Sequence, residues 1–311
     1  MSGNAAFVVG ATGGLGRSAC HALARDWDGV AIGYRSSAEK AQCIANELPA
    51  DCTGLPVRCD LTDASSIQSA LVTARDHFGS IGTMVFASGV AIEQPFVSKI
   101  SEDQWREVLE TELIGLMRVV SATLPLFREQ GFGNFVTVVS VANYTFPPGD
   151  ALSSVPKAGM EALGRAIAKE EGKFGIRANM VAPGIIDAGL GSHYLETLYS
   201  PEIWENQKKG VALRRFGTGD EIADAEHRRA DIGARLPHPA EREHAALTRP
   251  QAHPATPDLD DGRAWQLGQP VRHADDLYRS ADFPSDADGS SRRYVDGHAD
   301  GPRRLPSQEN P

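Results

Sequence analysis

The feature that most restricts what this chain can fold into is the junction Val8-Val9-Gly10-Ala11-Thr12-Gly13-Gly14-Leu15-Gly16, where a short apolar run turns directly into a helix-like segment. The run Ala5–Val9 suits a buried strand, and a glycine at the turn lets the chain reverse without a Cβ in the way. Further glycines let backbone N–H groups approach a pyrophosphate at the positive end of the helix that follows. A glycine cluster alone is a weak signal, because many tight turns share it. Between the first strand and the first helix of an alternating chain it points to dinucleotide binding, with Gly10, Thr12, Gly13, Gly14, Leu15 and Gly16 as the phosphate-side residues.

The chain does alternate. Apolar runs at 5–9, 30–34, 56–59, 83–86, 135–139 and 177–181 read as buried parallel strands, and helical stretches fall near 14–25, 38–48, 64–78, 102–128 and 157–171. Parallel strands joined by helices need right-handed crossovers, which cover both faces of one sheet. The expected fold class is α/β, a doubly wound parallel sheet of Rossmann type, with its final strand missing.

That missing strand follows from a change in composition. Large apolar residues make up 70 of the first 225 positions, or 31%, but only 13 of the last 86, or 15%. The second stretch also holds 10 of the 19 prolines and 12 arginines but no lysine. Such text buries too little surface to offset chain entropy. The expected organisation is a dinucleotide-binding and catalytic domain over 1–225 and a low-hydrophobicity tail over 226–311, disordered or frame-shifted. The break falls inside the helix-like Asp220-Glu221-Ile222-Ala223-Asp224-Ala225, and a shifted reading frame would produce it. A net charge of -10 argues against non-specific nucleic-acid binding. No apolar run is long enough to span a membrane, and Ala5–Val9 leaves no room for a signal peptide. The four cysteines have no metal-ligand or CxxC spacing and read as reduced thiols, so a cytoplasmic, metal-free protein is expected.

Cofactor choice is read at the end of the second strand, Gly33-Tyr34-Arg35-Ser36-Ser37. A ribose 2′-hydroxyl calls for a carboxylate there, whereas a 2′-phosphate calls for a cation and hydroxyl donors. Arg35 and Ser36, with no carboxylate before Glu39, favour NADP(H) over NAD(H). Asp60-Leu61 after the third strand could receive the adenine amine, while Asp60 or Asp63 could equally cap the next helix.

With these landmarks in place, residues 5–225 resemble the short-chain dehydrogenase/reductase family, in its ketoacyl-reductase-like branch. The resemblance rests on the glycine loop, Asp60, Phe86-Ala87-Ser88-Gly89, Ser140, Lys157-Ala158-Gly159, Pro183-Gly184 and Arg215-Phe216-Gly217. It implies that Ser88, Gly89, Pro183, Gly184 and Ile186 also line the cofactor. It further implies that Ser140 orients a substrate carbonyl and that Lys157 binds the nicotinamide ribose. The family's catalytic tyrosine falls at Ser153, its relay asparagine at Glu112, and the threonine after its Pro-Gly turn at Ala188. Homo-oligomers are usual among such relatives. The segment Gly189–Lys209, with Tyr194, Leu195, Leu198, Tyr199 and Trp204, corresponds to their variable substrate lid.

An alkyl hydroxyl is a far weaker acid than a phenol, so Ser153 is a poor stand-in for the tyrosine. Val155 precedes Pro156, which disfavours helix at Val155. The helix is therefore expected to begin there, with Ser153 or Ser154 as N-cap and Lys157 in the first turn, against the dipole. Glu112 is the more telling departure. It falls in the middle of a helical stripe of Trp105, Val108, Leu109, Leu116 and Val119. A carboxylate there needs a partner, and Lys157, met directly or through one water, is the expected one. Glu112 could then serve as proton donor or relay, as could a water held by Lys157, and Tyr144, four residues past Ser140, is a second candidate acid.

Three functions are compatible with this reading. One is an NADP(H)-dependent reductase or dehydrogenase of a carbonyl/alcohol pair, such as an acyl thioester or cyclic ketone, with altered acid/base residues. The second is a catalytically impaired nucleotide-binding relative. The third is a non-redox dehydratase or isomerase using Glu112 as base.

Overall fold

The computed structural model describes residues 3–197 and 200–234, with side chains placed for 5–197 and 200–230. Expectations for the tail beyond 234, and for Leu198 and Tyr199 in the lid segment, lie outside the described residues. The order is β1 (Gly3–Val9), α1 (Gly14–Leu23), β2 (Gly29–Tyr34), α2 (Ala38–Glu47), β3 (Thr53–Arg58), α3 (Ala64–Phe78), β4 (Gly79–Phe86), α4 (Glu102–Leu109), a π turn at Glu110–Ile114, and α5 (Gly115–Gln130). There follow β5 (Gly133–Val138), α6 (Ala142–Thr145), α7 (Ala151–Glu171), β6 (Ile176–Val181), β7 (Ile186–Asp187), α8 (Leu190–Thr197), α9 (Pro201–Gly210), β8 (Gly217–Thr218) and α10 (Gly219–Ala234).

The six long strands form one parallel sheet in the order β3-β2-β1-β4-β5-β6. This is the doubly wound α/β arrangement, and its strand order reverses between β1 and β4. Alternation along β1 feeds two cores. Ala5, Phe7 and Val9 join Met84, Phe86, Leu116, Phe127, Phe135 and Met160 on one face. Ala6 and Val8 join Leu23, Trp27, Val30, Ile32, Val85 and Val136 on the other. A fully buried side chain such as Phe7 contributes roughly 1.5–3 kcal/mol, and a one-residue slip of β1 would exchange the two sets.

Two expectations about the helices need correction. The continuous helix expected over 102–128 is interrupted by the π turn that carries Glu112; such insertions are frequent at functional sites. The packed unit also extends past the boundary placed at 225. Ala223, Glu226 and Ala230 share one face of α10 and are all buried, and Asn134 Nδ2 on β5 donates to the Arg229 carbonyl at 2.9 Å. Among the described residues the sheet has no seventh strand, and β6 is half-exposed at its edge. No helix among them is long and apolar enough to cross a membrane, and no cluster of His, Cys, Asp and Glu could hold a metal.

Candidate active site

The strand order reverses beside the glycine turn. Gly10 has φ +77°, and a Cβ on it would fall 2.7 Å from Ser88 Cα; a Cβ on Gly16 would fall 2.3 Å from the Gly10 carbonyl oxygen. Neither position admits another residue without moving backbone. Ala11 N–H donates to the Gly33 carbonyl and Ala87 N–H to the Val9 carbonyl, which fixes the turn between the ends of β2 and β4. Helix α1 begins after Gly13 with no side-chain cap and no acidic residue in its first turn. Its first N–H groups therefore have no side-chain acceptor, the arrangement that suits a phosphate. Thr12 and Leu15 are half-buried in the turn.

Arg35 and Ser36 are exposed at the end of β2, and among the described residues no hydrogen bond or ion pair engages either side chain. The capping alternative is resolved in favour of Asp63, which accepts from Ser65 N–H at 2.8 Å. Asp60 Oδ1 accepts from Thr62 N–H and Oγ1, and Oδ2 faces Arg58 at 3.4 Å. The Leu61 side chain is buried, and its carbonyl accepts from Arg118. On the other side of the cleft the Ala188-Gly189 backbone lies against Gly14, the Pro183 carbonyl accepts from Val141 N–H, and Ile186 enters the small β7–β8 ribbon. A dinucleotide fits this donor set: open amides and glycine clearance for phosphates, with a free cation at the end of β2.

The substrate side is built from side chains. Ser140, just past β5, accepts from Ala142 N–H at 3.1 Å through Oγ, which leaves its own O–H free to donate. Helix α7 begins at Ala151, earlier than expected. The Asp150 carbonyl accepts from both Ser153 N–H and Ser154 N–H, and Pro156 lies inside the helix. The pre-proline preference loses because Leu152, Pro156 and Met160 form one buried face. Ser153 is therefore the third helical residue and not the N-cap, and Lys157 lies beyond the first turn, away from the unfavourable end of the dipole.

Glu112 is buried, and its Oε2 lies 3.0 Å from Lys157 Nζ, also buried. The two meet as an ion pair, and Oε2 has no hydrogen-bond partner among the described residues. Its Oε1 accepts from Val90 N–H at 3.1 Å, which ties the pair to the Ser88-Gly89 turn after β4. The direct contact expected from the helical stripe is present.

Tyr144 is not brought to that pair. Its hydroxyl donates to Glu161, one turn beyond Lys157 on α7, and this bond raises the phenol's pKa. Glu161 is buried and also accepts from Asn143 and Arg165; burial acts against its charge, yet these bonds hold its carboxyl below the usual range. Two residues went unremarked in the sequence. Asp150 reads there as a loop residue after Pro-Pro-Gly, and Glu161 as one more polar position of a helix. The segment over 189–209 is anchored by Tyr194, whose hydroxyl accepts from Ile92 N–H and donates to the Ile92 carbonyl, and by Trp204, edge-on to Phe216 at 5.9 Å.

A family model described as enoyl-(acyl carrier protein) reductase matches residues 10–226. The 3-oxoacyl-[acyl-carrier-protein] reductase FabG of Staphylococcus aureus is 29% identical over 220 residues, which is 70% of this chain and 87% of that protein. FabG of Escherichia coli strain K12 is 29% identical over 229 residues, 72% of this chain and 88% of that protein. The crystal structure of gox2181 superposes with a TM-score of 0.68 at 26% identity, covering 74% of this chain and 89% of that one.

Proposed function

The chain belongs to the short-chain dehydrogenase/reductase family, in its ketoreductase-like branch, and on that premise we propose that it is an NADP(H)-dependent reductase of carbonyl compounds whose proton chemistry has been rebuilt without the tyrosine. The observation that carries this reading is the Glu112–Lys157 contact at 3.0 Å, a buried ion pair at positions where the family resemblance implies an asparagine and the lysine of a tyrosine-lysine couple.

The Gly10–Gly16 turn would hold the pyrophosphate of the dinucleotide and Arg35 with Ser36 its 2′-phosphate. Asp60-Leu61 would hold the adenine, and Ser88-Gly89, Lys157 and Pro183-Gly184 with Ile186 the nicotinamide end. When bound, the reduced nicotinamide supplies a hydride. Ser140 donates its free O–H to the substrate oxygen and polarises the carbonyl. Lys157 adds positive charge where an alkoxide develops, and preorganised charge of this kind is commonly a large part of catalysis. Glu112 fixes the ammonium in place. The FabG relatives are named as 3-oxoacyl reductases, and a β-ketoacyl thioester is the substrate class we infer.

NADPH titration followed by NADPH oxidation with β-ketoacyl thioesters and cyclic ketones tests the assignment. Binding with turnover is expected. Binding without turnover would favour an impaired nucleotide-binding protein, a reading that the helical placement of Ser153 supports. In that case Ser153→Tyr, one turn before Lys157 on α7, should restore a large part of the rate.

A further inference from the structure

The reading above needs a proton donor, and the obvious groups are unsuited. Ser153 is an alkyl alcohol, Tyr144 is engaged by Glu161, and Lys157 is held by Glu112. Resting on that reading, we propose that Asp150 is the general acid of the site and delivers the proton to the substrate oxygen.

The backbone of Asp150 is fixed. Its carbonyl accepts from Ser153 N–H at 3.0 Å, from Ser154 N–H at 2.8 Å and from Ser154 Oγ at 3.0 Å. Its side chain takes no part in capping α7. Oδ1 accepts from Gln94 Nε2, on the loop after β4, at a long 3.4 Å. Oδ2 is shielded from solvent and has no partner. The groups acting on the carboxyl are thus Gln94 from that loop, Glu112 from the π turn and, in contact with Glu112, Lys157 from α7; among the described residues no cation pairs with Asp150 itself. A buried oxygen without a donor is least costly when the carboxyl is neutral, and the neutral form is the one that can give a proton. Burial, and then the nearby charge of Glu112, push the Asp150 pKa up to about 6. A general acid works best with a pKa near the working pH.

In the step, the carbonyl carbon gains a hydride with its electron pair from the reduced nicotinamide, and the π pair of the C=O bond moves onto oxygen. That oxygen forms its O–H bond as the O–H bond of Asp150 breaks. The products would be the alcohol, the oxidised nicotinamide and the Asp150 carboxylate, and the carboxylate would regain its proton from water that enters as the product leaves.

The test compares wild type, Asp150→Asn and Asp150→Glu in the full chain. It uses NADPH affinity, the pH profile of kcat for ketone reduction, and a ¹³C NMR titration of the Asp150 carboxyl in the cofactor-free protein. Asp150→Asn leaves the backbone bonds untouched. It should bind NADPH like wild type, lose roughly 10²–10⁴-fold in kcat, and lose the wild-type decline in rate above about pH 6. Asp150→Glu should recover part of the rate. The NMR midpoint should lie near 6 and fall in Glu112→Gln. An ordinary carboxylate midpoint, or an Asp150→Asn enzyme with unchanged kcat and pH profile, would overturn the proposal alone. A wild type that binds NADPH but never turns over would overturn the functional reading and this proposal with it.

Discussion

The two halves of the sheet solve different problems with different materials. Around β1, β2 and α1 the groups offered to a ligand are mostly backbone amides, and their placement needs little more than glycines that fit where a Cβ would strike Gly10 or Ser88. Around β4, β5 and α7 the offered groups are side chains: Ser140, Lys157, Glu112 and Asp150. A backbone-built site admits no side chain at its key glycines, because a Cβ there would strike backbone. Side-chain sites can exchange members, and here the Glu112 carboxylate is in contact with Lys157. The first half is therefore expected to bind nucleotide much as its relatives do, and the second to carry out its proton transfer differently.

The largest expected effect concerns the scaffold behind the nucleotide half. Glu226 on α10 is fully buried, and neither of its oxygens has a hydrogen-bond partner among the described residues. Burial raises its pKa from 4.5 to about 8. The folded state thus keeps a proton that the unfolded chain releases near 4.5. The stability linked to that proton is complete below about pH 4.5 and is lost as pH rises through about 8, a change of about 5 kcal/mol. Urea unfolding of wild type and Glu226→Leu should show a gap in favour of the variant that widens across this interval. A pH-independent gap would mean that the carboxyl is not held in an apolar seam.

Next in size, Gly16→Val drives a side chain into the Gly10 carbonyl and should weaken NADPH binding by roughly 10³-fold, about 4 kcal/mol. Fluorescence titration measures it, and retention of affinity would erase the contrast between the halves. Glu112→Gln should do the reverse, lowering kcat on the order of 10²-fold while NADPH affinity stays within a few-fold; equal losses in both would make Glu112 a structural residue of the whole cleft. The smallest effect belongs to Arg35→Ala, which should shift the NADPH-over-NADH preference by about tenfold, read from paired titrations.

Much of this was legible in the text of the chain. The period-2 burial of β1, the glycine turn and the strand-helix alternation follow from local stereochemistry and from the need to bury apolar runs, so the sheet could be expected without coordinates. Even Glu112 announced itself, because a carboxylate inside an apolar stripe must find a partner. The start of α7 did not. Local rules placed it at Val155, but burial of Leu152, Pro156 and Met160 on one face outweighed the pre-proline preference, which moved Ser153 into the helix and left Asp150 at its head. Composition likewise put a boundary at Ala225 that α10 runs straight through.

The sequence by itself determined the elements, their order and the backbone cradle, because these depend on neighbours within a few residues. Only the tertiary structure decided which ionisable groups meet. Glu112 and Lys157 are forty-five positions apart, and Asp150, Gln94 and Glu112 come from three separate elements. The charge state of a buried carboxyl depends on solvent exclusion and on those distant neighbours, neither of which is encoded in local sequence.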